Sequence, residues 1–291
     1  MLPTNDDSLP GYRSLVLMLT SVVLFAVNTL LIRAVALHAP AADGWLASLF
    51  RGGVGLAVVF ALYGNGRGLQ PERLFASKLV ALRGIIGGIA IIIYYVTIVK
   101  LGAARAVILN LTYPVFGTLI AACWLKEKIS RRAICWMLAG LGGLAVFLSD
   151  DGKLLKPAAY DLLALLGAAT AGWVVVIIRK LRHEEHPATI YASQALYSLA
   201  IASPTVVKLP QIPSMAWLGL IIAAIVVSHA QLVMTRAYQT MSVAKGSSIQ
   251  MLLPLVTGIG GFFFFGERFH TIEILGATLT LLATWRVVVA K

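Results

Sequence analysis

The sequence predicts an all-helical polytopic membrane protein with ten transmembrane helices. Hydrophobic residues make up 59% of the 291 residues and charged residues only 12%, with a mean hydropathy of +0.87, whereas soluble chains carry about 25% charged residues. Apolar runs of about 20 residues, long enough to cross a bilayer as a helix, recur along the whole chain. Turn residues and charges separate these runs and leave no room for a large soluble domain.

The ten predicted spans, in chain order, are Ser14–Leu37, Ala42–Tyr63, Leu79–Val99, Ala103–Leu125, Arg132–Leu148, Tyr160–Ile178, Ala188–Val207, Met215–Tyr238, Val243–Phe265 and Thr271–Val289.

The net charge of +12 is distributed as a membrane protein would distribute it. If both termini are cytoplasmic, 16 Lys and Arg outside the membrane core lie on the cytoplasmic side and seven on the other. Arg83 belongs to the 16, and Arg51 lies within a span. This is the positive-inside pattern, so the charge predicts orientation, and we expect no nucleic-acid partner. The acidic N-terminus, MLPTNDDSLPGY, lacks the basic start of a cleavable signal peptide.

Two stretches 140 residues apart follow one pattern. PVFGTLIAACWLKEKIS begins at Pro114, and PLVTGIGGFFFFGERFH begins at Pro254. Each proline is followed thirteen positions later by a glutamate, Glu127 or Glu267, and a cation follows the glutamate directly. The chain is therefore predicted to contain an internal repeat.

A second match extends the predicted repeat to the first span of each half. FAVNTLLIR (25–33) resembles AGWVVVIIR (171–179) at an offset of 146 residues, which a change of loop length would explain. Each half, 1–149 and 150–291, then holds five spans. Because five is odd, the halves must cross the membrane in opposite orientations, as in many secondary transporters. We predict two inverted five-helix repeats.

The motifs resemble a known family. An A-x-N-x4-R motif is formed by Ala26, Asn28 and Arg33, both halves carry P-x12-E, and Gly276 follows the second glutamate by nine positions. This pattern resembles the drug/metabolite transporter superfamily, in its ten-span branch with two EamA-type repeats, and most closely the YddG-type amino-acid exporters. The resemblance covers nearly the whole chain and implies helices arranged around a central cavity. The first repeat departs from it at Trp136, opposite Gly276.

Three amides are candidate substrate-binding residues. Asn110 and Gln250 are equivalent in the repeat, each four residues before its proline, and Asn28 lies near the centre of span one. An amide can donate to a carboxylate and accept from an ammonium group, which suits a zwitterionic solute. Alternatively, these amides hydrogen-bond neighbouring helices together.

Aromatic residues and one histidine extend the candidate site. Tyr94, Tyr95, Tyr113 and Trp173 lie in spans that the resemblance places around the cavity, where their rings could stack on a solute. Packing or an interfacial aromatic belt is the alternative. His229 is the histidine nearest the middle of a span and could accept a proton or bind the solute. Its alternative role is a hydrogen bond to a neighbouring helix.

The repeated motif also supplies candidate gating residues. Pro114 and Pro254 each remove a backbone donor and weaken the helix near the cavity, which suits a hinge. Glu127 and Glu267 would close the water-facing ends of those helices, either as gates or as capping and anchoring residues.

The acidic residues limit the transport mechanism. All twelve lie in loops or near span ends, so proton exchange through a mid-membrane carboxylate is not expected. Facilitated diffusion or coupling through His229 remains. We predict no metal and no cofactor, because HEEHP (183–187) lacks the H-E-x-x-H spacing of a zinc helix and lies in a predicted loop.

We therefore expect a secondary transporter, not an enzyme, that works by alternating access in the inner (cytoplasmic) membrane. The resemblance implies export of amino acids, aromatic ones included, or of related small metabolites. Its partners would be this solute and the lipid bilayer, and a monomer is compatible with the sequence. The alternatives are a transporter of hydrophobic cations or phosphorylated metabolites, a channel, and an intramembrane enzyme. Phosphorylated solutes would require several cationic residues near mid-span, where the sequence offers Arg51.

Overall fold

The structure, a computed structural model, describes residues 10–64, 66–126, 129–147, 158–181, 184–240 and 249–289. All regular secondary structure in these ranges is helical, as predicted. The α-helices are α1 (Pro10–His38), α2 (Gly44–Tyr63), α3 (Arg73–Ala76), α4 (Lys78–Leu101), α5 (Ala103–Asn110), α6 (Tyr113–Leu125), α7 (Arg131–Phe147), α8 (Ala159–Leu181), α9 (Pro187–Ala202), α10 (Ser214–Thr240), α11 (Leu253–Phe265) and α12 (Thr271–Val289).

Within the described ranges, six helical segments are long and apolar enough to cross a membrane: Tyr12–His38, Gly44–Tyr63, Lys78–Leu101, Ala103–Trp124, Ala159–Ile178 and Ser214–Ala237.

The outer surface of the bundle is apolar. Large hydrophobic side chains point outward from many helices, and Phe263 and Phe264 on α11 are each 75% exposed. Such a surface is unfavourable in water but matches a bilayer, where helices satisfy their own backbone hydrogen bonds. The protein is a multi-pass membrane protein.

The structure interrupts the predicted fourth span. A two-residue turn separates α5 from α6, and a second turn directly precedes α11. Pro114 and Pro254 stand at the starts of α6 and α11. Because proline has no N–H, it cannot donate to the carbonyl four residues earlier, which belongs to Asn110 or Gln250. The two candidate amides therefore sit at the two helix breaks.

The predicted seventh span, Ala188–Val207, is shorter than expected. The α-helix α9 ends at Ala202, and a 3-10 segment, Ser203–Gln211, follows it. Pro204 and Pro210 lie in this segment and cannot donate the hydrogen bonds that would continue an α-helix.

Helix packing brings distant parts of the chain together. The contacting pairs include α1 with α10, α4 with α8, α2 and α4 with α9, and α7 with α12. At the α4–α9 contact, a Cβ on Gly88 would lie 2.9 Å from the backbone nitrogen of Ser198. Only glycine permits this approach, so the small residues of α4 set how closely α9 packs.

Candidate functional site

A chain of hydrogen bonds crosses the buried centre of the bundle. The Arg51 guanidinium on α2 donates through Nη1 to the Tyr95 hydroxyl on α4, at 3.2 Å. The Tyr95 hydroxyl donates to Oδ1 of Asn28 on α1, at 3.0 Å. The Asn28 amide Nδ2 donates to the carbonyl of Ala223 on α10, at 3.1 Å. Two predicted site residues, Asn28 and Tyr95, are therefore joined to Arg51, and the network links four helices.

Tyr94, the residue before Tyr95 on α4, lies beside this network. Its hydroxyl is 3.1 Å from Oγ1 of Thr29 on α1, and its ring centroid is 6.0 Å from that of Tyr95. Because the Thr29 hydroxyl donates its hydrogen to the Phe25 carbonyl at 2.9 Å, the Tyr94 hydroxyl is the donor in the contact between them. Both tyrosines thus hold α4 against α1.

A second polar contact forms beside the proline breaks. The Tyr113 hydroxyl at the start of α6 donates to Oε1 of Gln250 at 2.9 Å, and Nε2 of Gln250 lies 2.8 Å from the Met234 sulfur. Asn110 is half-buried at the end of α5, and α5 packs against α11. The predicted residues Tyr113 and Gln250, from opposite halves of the sequence, are in direct contact.

Trp173 and His229 lie apart from both networks. Trp173 is 41% exposed, with its ring edge-on to Trp124 at 6.3 Å. His229 is exposed, and its Nδ1 lies 2.9 Å from the carbonyl of Ile225 one turn earlier on α10. Its neighbour Ser228 is fully buried, because successive helical residues point about 100° apart. His229 therefore faces the outside of the bundle. Hydropathy predicts the α10 helix but not which of its residues face inward.

Glu267 caps a helix of the other half of the sequence. Its two carboxylate oxygens accept the backbone N–H groups of Ala103 (2.8 Å) and Ala104 (3.1 Å), at the start of α5. Nε of Arg33 lies 3.5 Å from the same carboxylate. Gly102 has φ 91°, and a Cβ there would lie 2.6 Å from Oε1 of Glu267. A glycine at this position therefore allows both the backbone turn and the carboxylate approach.

The equivalent residue in the first repeat, Glu127, lies outside the described residues, so its predicted role stays a prediction.

Ion pairs tie the two halves of the sequence together. Every ion pair in the described part of the chain joins a residue of 1–149 to one of 150–291. The pairs are Arg33–Glu267 (3.5 Å), Arg105–Asp161 (2.8 Å), Arg105–Glu273 (3.1 Å), Lys208–Asp43 and Arg73–Glu185 (2.8 Å). All but Arg73–Glu185 lie at the end of the bundle where α1 finishes and α5 starts.

Arg83 is a buried polar residue that the sequence reasoning placed outside the membrane core. It lies on α4 and is 2% exposed, with Nη2 donating to Oε1 of Gln194 on α9 at 2.8 Å. A Cβ on Gly87 would lie 2.1 Å from Nη1 of Arg83. A glycine four residues after an arginine is on the same helix face, and it leaves the space that this guanidinium fills. The Arg83–Gly87 spacing was therefore the sequence pattern that could have indicated a buried arginine.

In the part of the chain that the structure describes, no group of three or more His, Cys, Asp or Glu is placed to hold a metal ion. The buried polar groups of the Asn28–Tyr95–Arg51 network, of the Tyr113–Gln250 contact and of Arg83 with Gln194 are hydroxyls, amides and guanidiniums. They can bind a solute through hydrogen bonds and positive charge.

Comparison with known proteins identifies the class. A multi-pass helical bundle with a buried polar centre is compatible with several classes of membrane protein, transporters among them. The model of the EamA-like transporter family matches residues 13–149 and again 158–289. The chain belongs to the EamA-like transporter family.

Individual relatives agree with this assignment. The chain is 28% identical over 269 residues to the pseudopaline exporter CntI of Pseudomonas aeruginosa strain UCBPP-PA14, covering 89% of this chain and 90% of the exporter. It is 27% identical over 154 residues to an uncharacterized transporter of Helicobacter pylori strain J99, covering 50% and 51% of the two chains. A solved crystal structure with 18% identity covers 95% of each chain with a TM-score of 0.61, a likeness in fold.

Proposed function

We propose that this transporter is a secondary exporter of amino acids, aromatic ones included, or of related small metabolites, acting in the inner membrane. The observation that carries the proposal is the buried Asn28–Tyr95–Arg51 network at the junction of α1, α2, α4 and α10. Polar side chains inside a membrane protein usually face a solute pathway or the bundle interior. The similarity to pseudopaline exporters supports export as the direction.

The proposed architecture has ten spans in two inverted repeats, 1–149 and 150–291, with both termini in the cytoplasm. It counts α7, α9, α11 and α12 as spans beside the six longer segments. Two matches to one family model support it, as do the proline-associated breaks at equivalent positions of the two halves. The α1–α10 and α4–α8 contacts fit a pseudo-two-fold axis that exchanges the first span with the sixth and the third with the eighth.

Alternating access would move one repeat against the other. Ion pairs between the halves hold one end of the bundle together, so opening that end requires the Arg33–Glu267 and Arg105 contacts to separate. The proline turns at Pro114 and Pro254 supply the hinges. Glu267 would act as a gate through its hold on α5, and Glu127 would act in the same way at the opposite end.

Solute contacts are proposed for the buried and half-buried residues of the two networks, Asn28, Tyr94, Tyr95, Asn110, Tyr113 and Gln250. Trp173 and His229 face outward in this conformation, and a role for either would need a rearrangement of α8 or α10. Without His229 in the pathway, facilitated diffusion is the proposed mode. Transport of phosphorylated metabolites is the second candidate, because Arg83 adds a second buried guanidinium to Arg51.

Counterflow in proteoliposomes tests the proposal. Purified full-length protein is reconstituted into proteoliposomes that contain unlabelled phenylalanine, leucine or glutamate. Uptake of the same solute in labelled form is then followed with and without a proton gradient. We expect saturable counterflow that is independent of the gradient and is strongly reduced by Gln250→Ala. Gln70→Ala makes the same chemical change at an exposed loop position and should have no effect. Absence of counterflow for every amino acid would reject the substrate assignment, and non-saturating flux would indicate a channel.

A further inference from the structure

Two buried arginines have no acidic partner among the described residues. Arg51 on α2 is 5% exposed and Arg83 on α4 is 2% exposed. Both described carboxylates that are buried to this extent, Asp161 and Glu185, are paired with other arginines. Among the described residues no carboxylate forms an ion pair with Arg51 or Arg83. In the part of the chain that the structure describes, these two positive charges therefore have no compensating carboxylate.

The hydrogen-bonding capacity of these guanidiniums is only partly used. Arg51 donates to Tyr95 and Arg83 donates to Gln194. The buried atoms Nε of Arg51 and Nε and Nη1 of Arg83 have no hydrogen-bond partner within the described ranges. A guanidinium carries five N–H donors in a fixed planar arrangement. Burying a charge with open donors is strongly unfavourable unless an anion completes the site.

The two side chains lie on helices that pack against each other and share a third neighbour. Arg51 is on α2 and Arg83 is on α4, and these two helices are in contact. Both helices pack on α9, which provides Gln194 as the partner of Arg83. Arg51 and Arg83 belong to the first half of the sequence and α9 to the second. A ligand bound there would contact both halves that are proposed to move.

We propose that Arg51 and Arg83 bind a carboxylate group of the transported solute at the α2–α4–α9 contact. This rests on the proposed exporter function and specifies its substrate class. The planar N–H pairs of a guanidinium match the two oxygens of a carboxylate and form strong charge-assisted hydrogen bonds with them. A hydrophobic cation would be repelled by both groups. The carboxylate supplies the negative charge that no described residue provides to Arg51 or Arg83.

The test measures binding without requiring transport. Thermal unfolding of the detergent-purified full-length protein is followed with phenylalanine, glutamate, histidine or succinate, and with two analogues of phenylalanine. Phenethylamine lacks the carboxylate, and 1-amino-2-phenylethylphosphonate replaces it with a phosphonate. We expect at least one carboxylate to raise the unfolding midpoint of the wild type, whereas phenethylamine should not. If none of the carboxylates stabilises the wild type, the proposal is wrong.

Variants assign the effect to the two arginines. Arg51→Gln or Arg83→Gln should weaken binding of the stabilising carboxylate by roughly 30-fold or more. Arg236→Gln removes an arginine at an exposed position of α10 and should leave binding unchanged. Without ligand, Arg83→Gln should unfold at the same temperature as the wild type or above it, because it removes an uncompensated buried charge. A lower midpoint with unchanged carboxylate binding would make Arg83 a structural residue and overturn the proposal.

Other outcomes separate this inference from the proposed function. Carboxylate binding that depends on both arginines, without counterflow in proteoliposomes, would leave the site intact and reject the exporter. Amino-acid counterflow with an unchanged half-saturation concentration in Arg51→Gln and Arg83→Gln would support the exporter and reject the arginine site. Tighter binding of the phosphonate than of phenylalanine would overturn the carboxylate assignment in favour of a phosphorylated solute.

Discussion

The Glu267 carboxylate should contribute strongly to stability at the end of the bundle where α1 finishes and α5 starts. It accepts the N–H groups of Ala103 and Ala104 at the start of α5 and lies 3.5 Å from Nε of Arg33. Loss of a helix N-cap costs about 0.5–2 kcal/mol, and each hydrogen bond to a charged group contributes about 1.5–3 kcal/mol. The Arg33 pair is partly exposed and adds at most about 1 kcal/mol.

These contributions overlap, so we expect Glu267→Ala to reduce the free energy of unfolding by about 2–4 kcal/mol. Glu267→Gln keeps one strong acceptor and should lose about half as much. The assay is unfolding of the purified protein in mixed bicelles by titration with SDS. Glu72→Ala removes a carboxylate from an exposed loop and should change stability by less than about 0.5 kcal/mol. A Glu267→Ala variant as stable as Glu72→Ala would refute the capping role.

Three further variants test other parts of the structure. Gly143→Ala would place a Cβ 2.7 Å from the backbone of α12 and should destabilise α7–α12 packing by about 1–3 kcal/mol. The measurement is the unfolding midpoint. The control is Gly142→Ala, whose Cβ would meet no atom within 4 Å and which should be neutral. Tyr95→Phe leaves the Asn28 carbonyl oxygen without its donor and should cost about 1–3 kcal/mol, with reduced counterflow; wild-type stability and flux would contradict the network. Burial lowers the pKa of His186 below its ordinary value, and the neutral Nδ1 accepts an N–H at the start of α9. Its contribution should be complete above the unfolded pKa of about 6.5 and decline as the pH falls toward the folded pKa, whereas His186→Asn should flatten this part of the pH–stability profile; parallel profiles would reject it.

Several features of the fold were accessible from the sequence because each depends on local pattern. Hydropathy predicted helices and membrane insertion, and the prolines predicted where a helix would be weakened. The repeat also singled out Glu267, which then proved to cap α5. The helix break before Pro114 lies inside the predicted fourth span, and hydropathy does not show it because hydropathy does not register a missing N–H.

The candidate site was accessible only in part. Asn28 and Gln250 could be selected because a polar side chain within an apolar span stands out, and Tyr95 because the family resemblance places its span beside the cavity. His229 met the same criterion, yet it faces outward, since the criterion gives depth in the membrane and not direction around the helix. Arg83 failed the criterion because it lies close to the start of α4, where a basic residue usually marks the membrane boundary.

By itself, the sequence determined that this is a helical membrane protein, because long apolar segments are stable in a lipid bilayer and not in water. It also predicted an internal repeat and the residues worth testing. Tertiary packing alone decided that Arg51 bonds to Tyr95, that Glu267 caps a helix 164 residues away, and that Arg51 and Arg83 are buried without a described acid. These relations depend on helix rotation and on contacts between distant segments, neither of which a hydropathy pattern specifies.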